Sequence, residues 1–154
     1  MIKFKKNDVD AIIPKKGKEG DAGFDLFTLN DAIIEPHQTI VIPTGISVQL
    51  ETNQEATIRP RSGITLKGCE GCLCGNTTTK KPYIRVQLGT LDSNYRGDIG
   101  IIVYNQEDSR VFIPAKTKLA QMVVSLISTD EVVIVDELDE SDRGEKGFGS
   151  TGTK

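Results

Sequence analysis

The sequence lacks a long apolar run, an excess of basic residues and a cysteine set suited to disulfide pairing. No apolar run approaches the ~18 residues of a membrane span. The lysine-rich start at Met1–Lys6 leads into no apolar stretch, so we expect no secretory signal. Lys and Arg number 19 against 22 Asp and Glu, which disfavours broad binding to a nucleic-acid backbone. A small polyanion remains possible, because it needs only a few placed cations and backbone N–H groups.

Three cysteines, Cys69, Cys72 and Cys74, crowd into one glycine-rich stretch. An odd number at this spacing is unsuited to disulfides and indicates a reducing compartment, so we expect a cytoplasmic protein, or one in the host cytoplasm if the gene is viral. Zinc is disfavoured, because a structural site uses four ligands and the single histidine, His37, is remote in sequence. His37 follows Pro36 in a turn signal, and we expect it to be solvated.

Sustained helical periodicity is also missing, and the apolar residues alternate with polar ones as in β-strands. With 154 residues, 37% of them hydrophobic and 27% charged, the chain fits one globular domain. Many short strands, with at most one short helix after Ser62, indicate a β-sandwich, jelly roll or barrel. The strand signals are the alternating residues Ile46, Val48 and Leu50, the alternating residues Ile84, Val86 and Leu88, and the apolar runs at 99–104, 111–113, 119–127 and 132–135.

Two segments depart from the strand pattern. Lys67–Lys81 is rich in glycine and threonine and predicts a long loop, which in a compact domain is either functional or disordered. Asp142–Lys154 contains four glycines and a single large apolar residue, Phe148. It cannot bury a face of its own, so we expect a mobile arm when no ligand is bound.

The segment Gly89–Asp98 predicts a hairpin corner that presents Asp92 and Tyr95 three residues apart. A carboxylate at a pocket mouth can orient and deprotonate a water, and a neighbouring tyrosine can pack against a sugar ring. A polar hairpin with a packed tyrosine would have the same sequence. This segment alone leaves both interpretations open.

Two further segments combine charge with glycine. Arg59–Thr65 places two arginines, a serine and a glycine at a strand-to-turn junction, which could fork around phosphate oxygens or form a solvated turn. In Asp21–Leu26, Asp25 is flanked by apolar residues. It could hold a hydrated Mg²⁺, which takes few protein ligands, or it could be a solvent-facing strand residue.

The segment Arg143–Gly152 approaches a phosphate-binding loop, since Gly144 and Gly149 have the G-x-x-x-x-G spacing. Ser150 stands where such a loop requires lysine, and no helix is predicted after it, so a P-loop is rejected. A glycine-rich arm with one arginine, one aromatic and two hydroxyls remains. Such an arm is suited to fold over a nucleotide.

The order of these segments resembles the motif series of the trimeric, all-β dUTPase family. The matching segments are Ala22–Leu26, Pro60–Gly63, Gly89–Gly97, Leu119–Gln121, and Arg143–Gly144 with Gly147–Gly152. They span nearly the whole chain, and the third and fifth are highly specific. The resemblance implies a single-domain, jelly-roll-like distorted barrel. Residues 1–141 would form the β-domain, with an inserted loop at 67–81, and residues 142–154 a flexible C-terminal arm.

The resemblance also implies a Mg²⁺-dependent dUTP diphosphatase, which converts dUTP to dUMP and pyrophosphate. Asp92 would activate the water that attacks the α-phosphorus in line, and Tyr95 would stack under deoxyribose where a 2′-OH would clash. Asp25 would position Mg²⁺ through its waters. Such chemistry needs mainly positioning and neutralised charge.

The substrate contacts implied by the resemblance fall into three groups. The uracil edge would meet the backbone of Leu88, Gly89, Thr90 and Leu91. The phosphates would meet Arg61, Ser62, Gly63 and Gln121. The arm would bring Phe148 onto uracil and Arg143, Ser150 and Thr151 to the γ-phosphate end, with Gly149 as a further substrate-binding residue.

A homotrimer with active sites shared between subunits is implied as well. The chain departs from many relatives at Val86, where they carry Asn, and at Lys118, where they carry Arg. The loop 67–81 is longer than usual and could contact a regulatory protein, as in some phage-encoded relatives that bind a repressor. A dCTP deaminase of the same fold family is the alternative enzyme, but its water-activating Glu and its serine–arginine signature are not visible.

Overall fold

Twelve short strands and one helix make up the part of the chain that the computed structural model describes, residues 1–74 and 81–145. The strands are β1 (Lys3–Lys6), β2 (Gly23–Phe27), β3 (Ala32–Ile34), β4 (Thr39–Pro43), β5 (Ile46–Gln49), β6 (Gln54–Pro60), β7 (Cys72–Leu73), β8 (Ile84–Val86), β9 (Gly89–Leu91), β10 (Gly100–Asn105), β11 (Val111–Ile113) and β12 (Lys118–Leu126). The helix, α1, covers Ser62–Lys67. The predicted all-β class with one short helix is confirmed.

The strands pair antiparallel in four sheets, ordered β2-β12-β6-β9, β4-β10-β8, β3-β11-β7 and β1-β5. Within the described residues no sheet closes into a barrel by itself. The sheets instead surround one hydrophobic core, in which Leu26, Ile101 and Met122 are fully buried. Strands from all four sheets contribute side chains to this core. A shift of one residue in strand pairing would turn these side chains outward, so their burial fixes the register of the central strands.

The predicted alternation holds only in part around β5 and fails at the end of β8. Ile46, Val48 and Leu50 are buried as the pattern requires, but Ser47 is buried as well, with its hydroxyl donating to the Gly97 oxygen at 2.9 Å. Leu88, predicted to alternate inward after Ile84 and Val86, is 69% exposed. The reason is that the chain leaves the β10 ladder after Gln87, whose N–H donates to the Ile102 oxygen, and begins pairing with β6 at Gly89. Strand β8 therefore ends before Leu88, and the alternation of buried and exposed side chains does not extend to that residue.

The segment Lys67–Lys81, predicted as a loop, is partly ordered into the fold. Gly68 ends α1 at φ 80°, and a side chain there would press against the Pro82 oxygen, so glycine is required. Cys69 and Leu73 are buried, and β7 adds an edge strand to β11. Residues 75–80 of this segment lie outside the described residues.

The apolar run at 132–135, predicted as a strand, forms no strand in the structure. Val132 and Ile134 are 94% and 95% exposed, and Leu138 is 88% exposed. The sequence has strand propensity here, but a strand needs a partner, and β12 has already ended at Leu126. No helix among the described residues has the length and apolar character needed to cross a membrane.

His37 lies in the Glu35–Gln38 turn with a φ of 55°, in the left-handed region that few non-glycine residues adopt. Its Nε2 lies 2.9 Å from the Asp108 carboxylate and its Nδ1 lies 3.4 Å from the Tyr104 hydroxyl. The side chain is 54% exposed, so the predicted turn position is confirmed and the ring is partly solvated.

Candidate functional site

The four-stranded sheet brings three of the charged segments together. In the ladders of β12, Gln121 lies opposite Asp25 on β2 and opposite Arg59 on β6. Strand β6 then runs into α1, so that Arg61 and Ser62 follow directly on the same edge. Residues at the same level of neighbouring strands lie close in space, and the sheet therefore gathers segments that are far apart in sequence.

Asp25 lies between two cations. Its Oδ1 is 3.2 Å from Arg61 Nε, and its Oδ2 is 2.9 Å from Lys118 Nζ. Arg61 also donates from Nη1 to the Lys118 carbonyl oxygen, at 3.3 Å. The Asp25 side chain is only 15% exposed, so these two partners compensate the cost of removing its charge from water.

These residues line a cavity of about 470 Å³, which we call the phosphate cavity. Its lining consists of Gly17, Lys18, Asp21, Ala22, Gly23, Asp25, Arg61, Ser62, Gly63, Lys118 and Gln121. Three cations face two carboxylates in this lining, and the N–H groups of Ser62 and Gly63 lie in the first turn of α1, where helical geometry supplies no partner. The cavity is suited to an anion with several acceptor oxygens.

Two glycines that line the phosphate cavity, Gly23 and Gly63, differ in what surrounds them. A side chain at Gly23 would come within 2.7 Å of Gln121 Oε1, so glycine leaves room for the amide. Gln121 Nε2 donates to the Pro60 oxygen at 3.0 Å, which fixes the side chain across β6. A Cβ at Gly63 would meet nothing within 4 Å, so this glycine faces open space where a ligand could approach the backbone.

The hairpin forms a second cavity of about 290 Å³, which we call the hairpin cavity. Its lining consists of Val41, Ile58, Gly89, Thr90, Leu91, Asp92, Tyr95, Asp98, Gly100 and Ile102. The Tyr95 N–H donates to the Asp92 oxygen at 3.1 Å, and a side chain at Gly97 would overlap the tyrosine ring. The turn therefore holds Tyr95 beside Asp92, against a largely apolar wall.

Of the two carboxylates in the hairpin cavity, only Asp92 is available. Asp98 accepts hydrogen bonds from the N–H groups of Thr44 and Gly45 and from Asn7 Nδ2, at 3.2 to 3.3 Å. The Asp92 side chain is exposed and accepts no hydrogen bond from the described residues. Asp98 is thus committed to holding the turn, while Asp92 is free to act on a water.

The structure divides the predicted site residues between the two cavities. The phosphate cavity contains Asp25, Arg61, Ser62, Gly63 and Gln121, and the hairpin cavity contains Gly89, Thr90, Leu91, Asp92 and Tyr95. Leu88 and Arg143 line neither cavity. Phe148, Gly149, Ser150 and Thr151 lie outside the described residues. The two cavities share no lining residue.

Sequence reasoning missed Lys18, Asp21 and Asp98, and it noted Lys118 only as a departure. The Asp21 carboxylate accepts the Lys18 N–H at 2.8 Å, closing a turn over the phosphate cavity. A lysine-rich stretch directly before a matched motif was the available signal for this turn. Asp98 offered no such signal, because its partners are more than 50 residues away.

Two residues that depart from the family pattern have clear locations. Val86 is buried on β8, opposite Val103 of β10, so its side chain belongs to the core. Lys118 lies beside Asp25.

Burial raises the pKa of the Cys69 thiol to about 12, so this cysteine stays protonated at neutral pH and is a poor metal ligand. Residues 1–74 and 81–145 hold no group of three or more His, Cys, Asp or Glu side chains placed to bind a metal ion.

Comparisons with known proteins point to a single family. The dUTPase family model matches residues 9–152. The deoxyuridine 5'-triphosphate nucleotidohydrolase of Clostridium novyi is 44% identical over 147 residues, which cover 96% of this chain and 95% of the relative. The protein of that name from Picosynechococcus is 40% identical over 144 residues, covering 94% and 93%. The solved structure of the Staphylococcus bacteriophage 80alpha dUTPase with dUPNHPP matches with a TM-score of 0.83 and 25% identity, covering 99% of both chains. The chain therefore belongs to the dUTPase family.

Proposed function

We propose that this chain is a dUTP diphosphatase, which hydrolyses dUTP to dUMP and pyrophosphate by attack of an Asp92-activated water on the α-phosphorus. The observation that carries the proposal is the shared name of relatives that are at least 40% identical over nearly the whole chain. The free carboxylate of Asp92 in a partly apolar cavity supports the chemistry. The water would attack in line with the departing pyrophosphate.

Recognition of the base is supported by the position of β9 at the edge of its sheet. One edge of β9 pairs with β6 through Gly89, Thr90 and Leu91, and no other strand of the described residues pairs with the other edge. Its outward N–H and C=O groups are therefore available to pair with the uracil edge. Tyr95 lines the same cavity as β9, and its ring would stack there under deoxyribose and exclude a 2′-OH. Leu88, exposed just before β9, would contribute through its backbone.

The phosphate cavity would hold the triphosphate. Arg61, Ser62, Gly63 and Gln121 would contact its oxygens, with the arginine supplying a planar fork and the helix turn supplying N–H groups. Arg143 lies in the turn at 142–145, at the start of the arm. We propose that it and Phe148, Gly149, Ser150 and Thr151 complete the site when the arm closes over the nucleotide.

The residues present fit a hydrated Mg²⁺. The side chains of Asp21, Asp25, Ser62 and Gln121 offer oxygen atoms in one cavity, as a hard cation requires. Because both oxygens of Asp25 already face cations, the carboxylate would act through waters rather than by direct coordination. When bound, Mg²⁺ would neutralise charge on the phosphates.

A homotrimer is proposed because one chain leaves the site incomplete. The two cavities share no residue, and the apolar residues at 132–135 are exposed and pair with no strand of residues 1–74 and 81–145. Further copies of the chain would place a hairpin cavity beside a phosphate cavity and would cover the apolar segment. The three free cysteines support a cytoplasmic location.

A regulatory protein partner is proposed as a second role of the loop 67–81. The Staphylococcus bacteriophage 80alpha dUTPase, whose fold this chain shares, is one of the phage dUTPases that control the transfer of virulence genes. Deletion of residues 75–80 followed by a pull-down against candidate repressors would test this role. Capture that survives the deletion would exclude the loop.

The primary test is pyrophosphate release from dUTP and from each of the four canonical deoxynucleoside triphosphates, with and without Mg²⁺. We expect release from dUTP alone, and only with Mg²⁺. Ammonia release from dCTP is measured in parallel. Ammonia without pyrophosphate would show a deaminase instead.

A further inference from the structure

A third cavity, which we call the lysine cavity, adjoins the phosphate cavity and shares Gly17, Asp25 and Lys118 with its lining. Its volume is about 460 Å³. Four lysines line it, and the apolar side chains of Ile13 and Phe27 form part of its wall. The lysines are Lys6, Lys15, Lys16 and Lys118.

The charge of this cavity is strongly unbalanced. Asp25 is its one carboxylate, and that carboxylate is already engaged by Arg61 and by Lys118. Neither Lys15 nor Lys16 has a carboxylate partner within residues 1–74 and 81–145. The formal net charge of the whole chain is −3, so this positive charge is concentrated at the cavity and is not a general property of the protein.

Three of these lysines make contacts that do not neutralise their positive charge. Lys6 Nζ donates to the Val9 oxygen at 3.0 Å, and Lys16 Nζ lies 5.4 Å from the centre of the Phe24 ring. Lys118 Nζ lies 5.6 Å from the centre of the Phe27 ring. Lys6, Lys15 and Lys16 are exposed, so their ammonium groups are accessible to an anion from solution.

We propose that the lysine cavity binds the di- or triphosphate group of a second ligand, separate from the substrate phosphates. Lysines act as compact point charges that suit phosphate oxygens. The ligand is either free polyphosphate or the phosphate tail of a nucleotide. The wall between the two cavities contains Asp25 and Lys118, so an anion here competes with Asp25 for Lys118 and is coupled to the phosphate cavity. The coupling rests on the proposed function, but the binding site does not.

Titration calorimetry with tripolyphosphate on the full-length protein tests the site. The variant is Lys15→Gln/Lys16→Gln, and the matched control is Lys3→Gln/Lys5→Gln, which removes the same charge from β1 outside the cavity. We expect the first variant to lose about tenfold or more in affinity, and the control to change by about twofold or less. Equal effects of both pairs, or no effect of the first, would overturn the proposal.

A Lys18→Gln variant separates the two cavities, because Lys18 lines only the phosphate cavity and, unlike Arg61, does not pair with Asp25. Binding that depends on Lys15 and Lys16 should persist in this variant, and its loss there would also overturn the proposal. Pyrophosphate and ADP serve as further probes: tighter binding of ADP identifies a nucleotide ligand, and equal or weaker binding identifies free polyphosphate. The hydrolysis of dUTP is measured on the same preparations. A wild-type protein that binds tripolyphosphate through the lysines but does not hydrolyse dUTP would refute the proposed function and leave the site intact.

Discussion

The Tyr95 hydroxyl donates a hydrogen bond to the Asp98 carbonyl oxygen at 3.0 Å. The Asp98 side chain in turn accepts the N–H groups of Thr44 and Gly45. Through these contacts the ring that would face the sugar is tied to the turn at Thr44 and Gly45, between β4 and β5. The orientation of Tyr95 is therefore set before substrate arrives, which reduces the cost of ordering it on binding.

Substitution Asp92→Asn should lower kcat by about 10²-fold or more while dUTP binding stays nearly unchanged, because the amide cannot accept the proton of the water. Single-turnover rates and equilibrium binding of a non-hydrolysable analogue provide the measurements. Asp98→Asn is the comparison within the same cavity. It should act mainly through stability, since Asp98 holds the turn. Retention of more than half of the wild-type turnover by Asp92→Asn would show that another group is the base.

Substitution Tyr95→Ala should raise kcat/KM for UTP relative to dUTP, since the ring is proposed to occupy the space of a 2′-OH. Tyr95→Phe is the matched control, because it keeps the ring and removes only the hydrogen bond to Asp98. We expect Tyr95→Phe to keep the selectivity for dUTP. An unchanged ratio in Tyr95→Ala would place sugar selection elsewhere.

Strands β5, β8, β10, β11 and β12 could be predicted from sequence because their apolar residues alternate or form short runs, whereas β3, β4 and β6, which also supply core residues, were not predicted. Ile46 and Val48 alternate inward as expected, whereas Leu88 does not, since the chain changes partner strand between β8 and β9. The run at 132–135 has a strand pattern but no partner within the described part of the chain. Periodicity reports which side chains prefer burial, but it does not report where the partner is.

The candidate site residues came from the order of the motifs and the family resemblance, because each segment alone left a purely structural interpretation open. The sheet register brings three of them, Asp25, Arg61 and Gln121, into one cavity. The engagement of both Asp25 oxygens by cations was not predictable, because it depends on where Lys118 Nζ lies in three dimensions. Likewise, the commitment of Asp98 to a remote turn follows only from long-range contacts.

Substitution Asp25→Asn should shift the Mg²⁺ concentration required for half-maximal activity upward by about tenfold, because a neutral amide holds a hydrated cation less well. It also leaves Arg61 and Lys118 without their shared carboxylate. Asp108→Asn, beside His37 and outside the phosphate cavity, is the control for a general loss of negative charge. Activity with an unchanged Mg²⁺ dependence in Asp25→Asn would remove Asp25 from the metal site.

Thiol labelling should distinguish the cysteines. Cys69 is buried and its pKa is raised to about 12, so below that pH it exists as the unreactive thiol. Cys72 is exposed and should react rapidly with a disulfide reagent at pH 8. Mass spectrometry of the labelled protein identifies the modified position, and Cys72→Ser provides the control. Rapid labelling of Cys69 in the native protein would mean that the segment before β7 opens readily.

Truncation after Asp142 tests the proposed division between a β-domain at 1–141 and an arm at 142–154. The sequence of the arm has four glycines and one large apolar residue, so it offers little to bury against the domain. Ordering about ten residues costs on the order of 10 kcal/mol of backbone entropy, which base stacking by Phe148 and charge-assisted contacts by Arg143 must offset. Both contacts require the nucleotide.

The truncated protein should therefore keep its oligomeric state and thermal stability while losing most of kcat/KM, and its preference for triphosphate over diphosphate should weaken. Sedimentation, calorimetry and steady-state kinetics on the two proteins provide the comparison. Phe148→Ala in the full chain isolates the stacking contribution and should raise KM more than it lowers stability. Full activity after truncation would show that the arm is not part of the site. A large fall in melting temperature would show that the arm packs on the domain without ligand, and closure would then not belong to the catalytic cycle.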